Sequence, residues 1–75
     1  MDKGLIALSA ALSIGLAALG AAISIGIATA KAVDATARQP EVSGRIQTVL
    51  LTAIVFIEAT AIYALVVSLL LIFAF

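Results

Sequence analysis

The chain lacks cysteine, histidine and tryptophan entirely among its 75 residues. The missing thiols exclude disulfides and thiol catalysis, and without imidazoles the commonest metal ligands are gone too, so we expect no metal site. Charge is also scarce, because four cations balance four carboxylates and the formal net charge is zero. Four scattered cations make no basic patch, so nucleic acid is not an expected partner.

Apolar side chains are what the sequence has in abundance. They make up 65% of the residues, and the mean hydropathy is +1.37. A chain this short cannot hide so much apolar surface in a core of its own, so the composition predicts a protein of the lipid bilayer. The first apolar run far exceeds the ~7 to 15 residues of a signal-peptide core, and we expect it to be retained.

Two apolar segments are separated by a short charged one. No charge occurs from position 5 to 30, which is longer than the ~20 residues needed to span a hydrocarbon core. Charges return between Lys31 and Arg45, around the only proline, Pro40. The sequence therefore predicts an all-α membrane protein with a single two-helix transmembrane hairpin: a helix over 5–37, a polar loop over 38–44 and a helix over 45–75.

The cations of the chain predict its orientation. Lys31, Arg38 and Arg45 flank the loop, whereas the outer ends carry only Lys3. Cytoplasmic loops of membrane proteins are enriched in Lys and Arg. We expect the loop in the cytoplasm and both termini on the outer side.

One carboxylate, Glu58, interrupts the second apolar segment near its middle. At ~1.5 Å per residue it lies ~20 Å from Arg45 and ~25 Å from Phe75. An ionised carboxylate at such depth is costly and marks a functional site, because removal from water disfavours the charged form. A protonated Glu58 can donate a hydrogen bond and a deprotonated one needs a cation, so it can act as a reversible carrier. The alternative is a structural hydrogen bond between helices.

Small residues alternate strictly along the second half of the first segment. On a helix at ~100° per residue, this alternation separates into two narrow faces on different sides. Small faces let helices approach closely in lipid, so two such faces predict two neighbours and a closed ring of identical hairpins. The plainer interpretation is that Ala and Gly are frequent in membrane helices. The seven positions are Ala18, Gly20, Ala22, Ser24, Gly26, Ala28 and Ala30.

Folding the chain near Pro40 predicts which residues lie side by side. Glu58 then lies level with Ile23 or Ser24 and faces the small-residue zone. The membrane hydroxyls are expected to bond to carbonyls of their own helices; these are Ser9, Ser13, Thr52 and Ser68.

Three features together resemble the c subunit, or lipid-binding proteolipid, of F-type ATP synthase. They are the turn Arg38-Gln39-Pro40-Glu41, the alternating small residues, and Glu58 followed by Ala-Thr-Ala-Ile-Tyr. The resemblance covers essentially the whole chain. It implies a non-catalytic subunit of a homo-oligomeric rotor ring in which Glu58 carries the ion, with no cofactor.

The resemblance also implies partners and further site residues. Arg38, Gln39 and Pro40 match the loop on which the central stalk, the gamma and epsilon subunits, sits. The stator a subunit would load and unload the carboxylate, within a bacterial inner membrane whose lipids surround the ring. The ion-site neighbours would be Tyr63, Phe56, Ala59, Ser24 and Ile25, and the ring-packing positions Gly20, Ala22, Ser24, Gly26 and Ala28.

Two of the ion-site neighbours, Ile25 and Ala59, favour protons over sodium as the transported ion. Sodium-translocating relatives place a Gln where this chain has Ile25 and a Ser or Thr where it has Ala59. Ser24, Thr60 and backbone carbonyls keep sodium open as the alternative.

Two other functions fit the sequence less well. A pore-forming hairpin would need a polar stripe that the first helix lacks. A small membrane assembly factor would give no reason for the carboxylate Glu58.

Overall fold

Two long antiparallel helices make up almost all of the chain in a computed structural model that describes residues 2–75. The first helix, α1, is Lys3–Arg38 and the second, α2, is Ser43–Ala74. Gln39 and a short 3₁₀ turn, Pro40–Val42, join them. The result is a rod with extents of 57 × 15 × 7 Å. The predicted all-α hairpin is confirmed.

The ends of α1 are set by local chemistry. At its start the carboxylate of Asp2 accepts a hydrogen bond of 3.1 Å from the backbone N–H of Gly4, which satisfies one of the free donors of the first turn. At its end Gln39 leaves the helix with φ −134° and ψ 69°, because a following proline disfavours helical geometry. The N–H of Gln39 still donates to the carbonyl of Ala35 at 2.9 Å.

The turn is shorter than the sequence suggested. We expected a polar loop over 38–44, but only Gln39 lies outside helical structure between the two helices. Proline is tolerated in a first helical turn, where its missing N–H would have no partner. Pro40 therefore starts a 3₁₀ turn, closed by a bond of 3.1 Å from the N–H of Val42 to the carbonyl of Gln39, and this turn leads directly into α2.

The face of α1 that packs on α2 consists mainly of alanine. Ala10 and Ala21 are buried, and Ala17 and Ala28 are half-buried. Small side chains let two backbones approach closely, which strengthens van der Waals packing between membrane helices. Within residues 2–75 the buried set is small: Ile6, Ala10, Ala21 and Ser68.

Most large apolar side chains point away from this interface. Leu16, Val55 and Phe73 are 64%, 66% and 82% exposed. Both helices are long and apolar enough to cross a membrane. A hairpin in water would cover itself with polar side chains, and an apolar surface of this extent requires another apolar phase. The hairpin is therefore a membrane structure.

Two serines bond across the helix interface. Ser68 Oγ donates to the carbonyl of Ala10 at 2.8 Å, and Ser13 Oγ lies 3.4 Å from the carbonyl oxygen of Ala64. The prediction that these hydroxyls bond within their own helices is wrong, since the alanine face brings the opposite backbone within reach. The other two hydroxyls bond within their own helix as predicted: Ser9 to Leu5 and Thr52 to Thr48, both at 2.8 Å.

Candidate functional site

Glu58 lies on an exposed flank of the hairpin, halfway along α2. Its neighbour Ile57 packs towards α1, where it lines a groove with Ala17 and Ala21. At ~100° per residue, Glu58 therefore points sideways from the interface. The ion pair found within residues 2–75 joins Arg38 to Asp34, so no cation of the described chain neutralises the Glu58 carboxylate.

The height of Glu58 differs from the expected one. Ile57 and Thr60 share a groove with Ala17 and Gly20, so Glu58 is level with about Gly20 instead of Ile23 or Ser24. The expected height assumed a fold at Pro40. Because α1 continues to Arg38 and helical structure resumes at Pro40, the chain folds about Gln39. Moving the fold from Pro40 to Gln39 shifts the pairing by two residues, or ~3 Å, which is part of the difference.

The aromatic residues predicted beside Glu58 lie on the opposite flank of α2. Ile57 faces α1, and at ~100° per residue Glu58 is turned to one side of it and Phe56 to the other. Tyr63 lies ~140° around the helix from Glu58, on the same side as Phe56. Both rings are 72% exposed. We call the side of the hairpin that carries Glu58 the carboxylate flank and the side that carries Phe56 and Tyr63 the aromatic flank. One chain does not bring the two together.

The predicted neighbours on α1 are also divided between the flanks. Ser24 lies on the aromatic flank, in a groove of about 280 Å³ that it shares with Gly20 and Thr60. Ile25 is half-buried and lies ~100° further round α1, on the carboxylate flank. Ala59, on α2, points ~200° away from the face that meets α1. Within one chain the hydroxyls of Ser24 and Thr60 are therefore on the wrong side for Glu58.

The predicted ring-packing positions are largely free in the hairpin. Gly20, Ala22, Ser24 and Gly26 are exposed, and Ala28 is half-buried. A Cβ atom added to Gly20 or Gly26 would meet nothing within 4 Å. Helix α2 occupies a further, alanine-rich face that the sequence interpretation missed, although its spacing of four and seven residues was a readable signal of one helix face.

The loop residues form the exposed tip of the rod. The Arg38 guanidinium pairs with Asp34 at 3.0 Å, and the two side chains are 76% and 61% exposed. Gln39 and Pro40 are exposed as well. All three predicted stalk-contacting residues, Arg38, Gln39 and Pro40, therefore stand at the end of the molecule furthest from its termini.

This fold and this site define a class: a two-helix membrane hairpin with one carboxylate at mid-depth on its outer surface. A family model for the C subunit of ATP synthase matches residues 8–71. The chain belongs to that family. It is a subunit of the rotor ring of an F-type ATP synthase and has no catalytic role of its own, as the sequence predicted.

Individual relatives match nearly the full chain. The ATP synthase c subunit of Ruminiclostridium cellulolyticum is 51% identical over 70 residues, which cover 93% of this chain and 91% of the relative. That of Carboxydothermus hydrogenoformans is 48% identical, covering 87% and 79%. The chloroplastic ATP synthase c subunit of Emiliania huxleyi is 48% identical, covering 96% and 88%.

Proposed function

We propose that Glu58 is the ion carrier of the ring and that the ion is a proton. The observation that carries this proposal is a single carboxylate at mid-membrane depth, exposed on a flank and without a cation partner among residues 2–75. Such a group is stable in lipid when protonated and must find a positive partner when it is not. Alternation between these two states moves one charge per cycle.

The oxygen supply around Glu58 supports protons over sodium. A hard cation needs several oxygen ligands, whereas a proton needs only the carboxyl group. Ile25 and Ala59 offer no side-chain oxygen. Sodium remains a second candidate because Ser24 and Thr60 lie on the aromatic flank, which a neighbouring copy could present to Glu58.

Side-by-side packing of copies in one orientation would complete the ion site. Repeated head-to-tail contacts place the carboxylate flank of each copy against the aromatic flank of the next and close into a ring. Glu58 of one copy then meets Phe56 and Tyr63 of another. The exposed small faces around Gly20 and Gly26 support this packing, because they leave room for a neighbour's helix.

The surroundings of the ring follow from the same arrangement. The stator a subunit would exchange protons with Glu58 as each copy passes, and the gamma and epsilon subunits would rest on Arg38, Gln39 and Pro40. We place the ring in a bacterial inner membrane with the loop in the cytoplasm. The membrane potential supplies ~2.3 kcal/mol per charge per 100 mV, which rotation couples to ATP synthesis.

The direct test is Glu58→Gln in the assembled complex. The amide keeps the shape and can still donate a hydrogen bond, but it cannot release a proton, so we expect proton translocation to stop while the ring stays intact. Glu41→Gln removes an exposed carboxylate of the turn and serves as the matched control. Loss of the ring in Glu58→Gln would instead identify a structural glutamate.

A further inference from the structure

Two serines join the helices in the half of the hairpin that contains the chain ends, which we call the terminal half. Ser68 Oγ donates to the carbonyl of Ala10 at 2.8 Å, and Ser13 Oγ lies 3.4 Å from the carbonyl oxygen of Ala64. Each helix therefore supplies one hydroxyl and one carbonyl. Among the described residues, these are the side-chain hydrogen bonds that link α1 to α2.

The half that contains the turn, the loop half, provides an internal comparison. Ala64 and Ser68 come six and ten residues after Glu58. Thr52 and Thr48 come six and ten residues before it, but their hydroxyls bond to carbonyls of α2 itself, at 2.8 and 3.0 Å. Side-chain hydrogen bonds of the described residues therefore tie α2 to α1 on one side of Glu58 only.

The packing between the helices does little to fix how α2 is turned about its own axis. The side chains that meet there are mostly small, with Ala10 and Ala21 buried on α1 and Ala61 and Ala64 half-buried on α2. Large side chains set the relative rotation of two helices by interdigitating, and alanines interdigitate little. A hydrogen bond, in contrast, requires a defined direction between donor and acceptor. We therefore expect the serine contacts to select the rotation of α2.

The rotation of α2 decides where Glu58 points. Ile57 faces α1, and Glu58 is ~100° further round, on the carboxylate flank. Ala64 is only ~9 Å from Glu58 along the same uninterrupted helix, so a rotation fixed at one is fixed at the other. A rotation of ~100° in one direction would bring Glu58 against α1, and in the other direction would turn it away from the flank.

We propose that Ser68 and Ser13 are positioning residues for Glu58. Their contacts hold α2 in the rotation that keeps the carboxyl group on the carboxylate flank, where a neighbouring copy meets it. Ser68 is ~15 Å from Glu58 along α2, so it acts through the helix and touches neither the carboxyl group nor the ion. This role depends on the proposed function of Glu58 as the ion carrier.

Pairs of cysteines measure the rotation of α2 in the assembled ring, because the chain has no cysteine of its own. Ala21→Cys with Ile57→Cys joins two positions that line one groove. Ala21→Cys with Phe56→Cys tests a position ~100° round α2. Under mild oxidation we expect the first pair to form a disulfide within one chain faster than the second. Ser68→Ala should lower the ratio of the two rates about threefold, the effect of an average hydrogen bond between membrane helices.

Three further variants separate positioning from a general loss of stability. Ser13→Ala keeps the shorter bond of Ser68, so the hairpin should fold, and the ratio should fall less because the Ser13 contact is longer. Ser13→Thr keeps the hydroxyl and should retain the parent ratio. Thr52→Ala removes a hydroxyl as far from Glu58 as Ala64 is, but one that bonds within α2, and should leave the ratio unchanged. Proton translocation per intact ring should follow the ratio in every variant.

Several outcomes would overturn the proposal. One is an unchanged disulfide ratio in both Ser68→Ala and Ser13→Ala, and another is an equal change in Thr52→Ala. A lower ratio with undiminished translocation would mean that the serines only stabilise the hairpin. Translocation that persists in Glu58→Gln would contradict the carrier role of Glu58, whereas the disulfide ratios test the serines separately.

Discussion

At the scale of single residues, the chemistry depends on where one carboxyl group lies. Glu58 is exposed on the hairpin, and in a bilayer that surface is in hydrocarbon or against another copy. Neither environment solvates a negative charge well. The residue is therefore stable only while protonated or while a positive partner is present, which is the property that a carrier requires.

Ser68 stabilises the contact between the two helices, and its removal tests how much one hydrogen bond contributes. Ser68→Ala loses the 2.8 Å hydrogen bond to the carbonyl of Ala10. Hydrogen bonds between membrane helices contribute about 0.6 kcal/mol on average and up to about 1.7 kcal/mol, and this bond is buried, so we expect a loss near the upper value. Energy transfer between labels on the two chain ends, followed during titration with a denaturing detergent, measures helix separation.

Ser9→Ala is the matched control for this measurement. Its hydroxyl bonds to Leu5 within α1, so its removal should leave helix separation unchanged. If Ser9→Ala and Ser68→Ala changed helix separation equally, the hydrogen bond across the interface would make no specific contribution to the stability of the hairpin.

The sequence could reveal Glu58 but not the partner of Ser68. A carboxylate in a long apolar run is visible without coordinates, because its depth in the membrane can be read from its position in that run. The bond of Ser68 depends on the helix register. That register changes when the turn shortens by a few residues, so the hydroxyl's acceptor could not be predicted.

At the scale of elements, α1 has separate faces for separate neighbours. The face with Ala10, Ala17 and Ala21 packs on α2, while the small faces around Gly20 and Gly26 remain open. A helix with small residues on several sides can be approached closely from each of them. This pattern suits a helix that contacts its own partner and also adjacent copies.

Gly26→Leu tests whether an open face is a contact between copies. Apart from the adjacent backbone of α1, no described atom lies within 4 Å of a Cβ atom at this position, so the monomer should fold with unchanged helix content. We expect the ring not to assemble, since a leucine would occupy the space of the neighbouring helix. Size-exclusion chromatography and circular dichroism of the purified protein measure the two properties separately.

A control substitution tests whether any larger side chain on α1 blocks assembly, or only one on a small-residue face. Ile23→Phe also enlarges a side chain of α1, but at an exposed position already occupied by a bulky residue, and it should assemble normally. A normal ring from Gly26→Leu would contradict the packing interpretation.

The two helices were predictable, and their register was not. Neutral runs of this length leave little choice but spanning helices. The turn was predicted too long because charged residues and Pro40 were interpreted as loop, whereas Pro40 begins the 3₁₀ turn that continues into α2. The shorter turn accounts for part of the difference in the height of Glu58.

At the scale of the whole molecule, the hairpin has unlike flanks. Glu58 lies on one and Phe56 and Tyr63 on the other, so a lone chain cannot assemble the predicted ion site. In the proposed head-to-tail packing, the carboxylate flank of one copy meets the aromatic flank of the next, and such contacts close into a ring when the rotation permits. This packing would bring the divided site residues together.

The orientation of the hairpin can be tested with single cysteines, because the chain has none of its own. Glu41→Cys places a thiol at the exposed turn, and Asp2→Cys places one at the exposed opposite end. A membrane-impermeant maleimide should label position 2 on intact cells and position 41 only on inverted vesicles, since cations flank the turn. The reverse pattern would place the loop outside.

The most direct measurement on the central claim is covalent labelling of the intact ring with dicyclohexylcarbodiimide, which reacts with protonated carboxyl groups. If Glu58 carries protons, labelling is confined to this residue, becomes faster as the pH is lowered, and is not slowed by sodium ions. Strong protection by sodium would contradict proton transport. A labelling rate that does not change with pH would contradict the proposal that Glu58 takes up and releases protons.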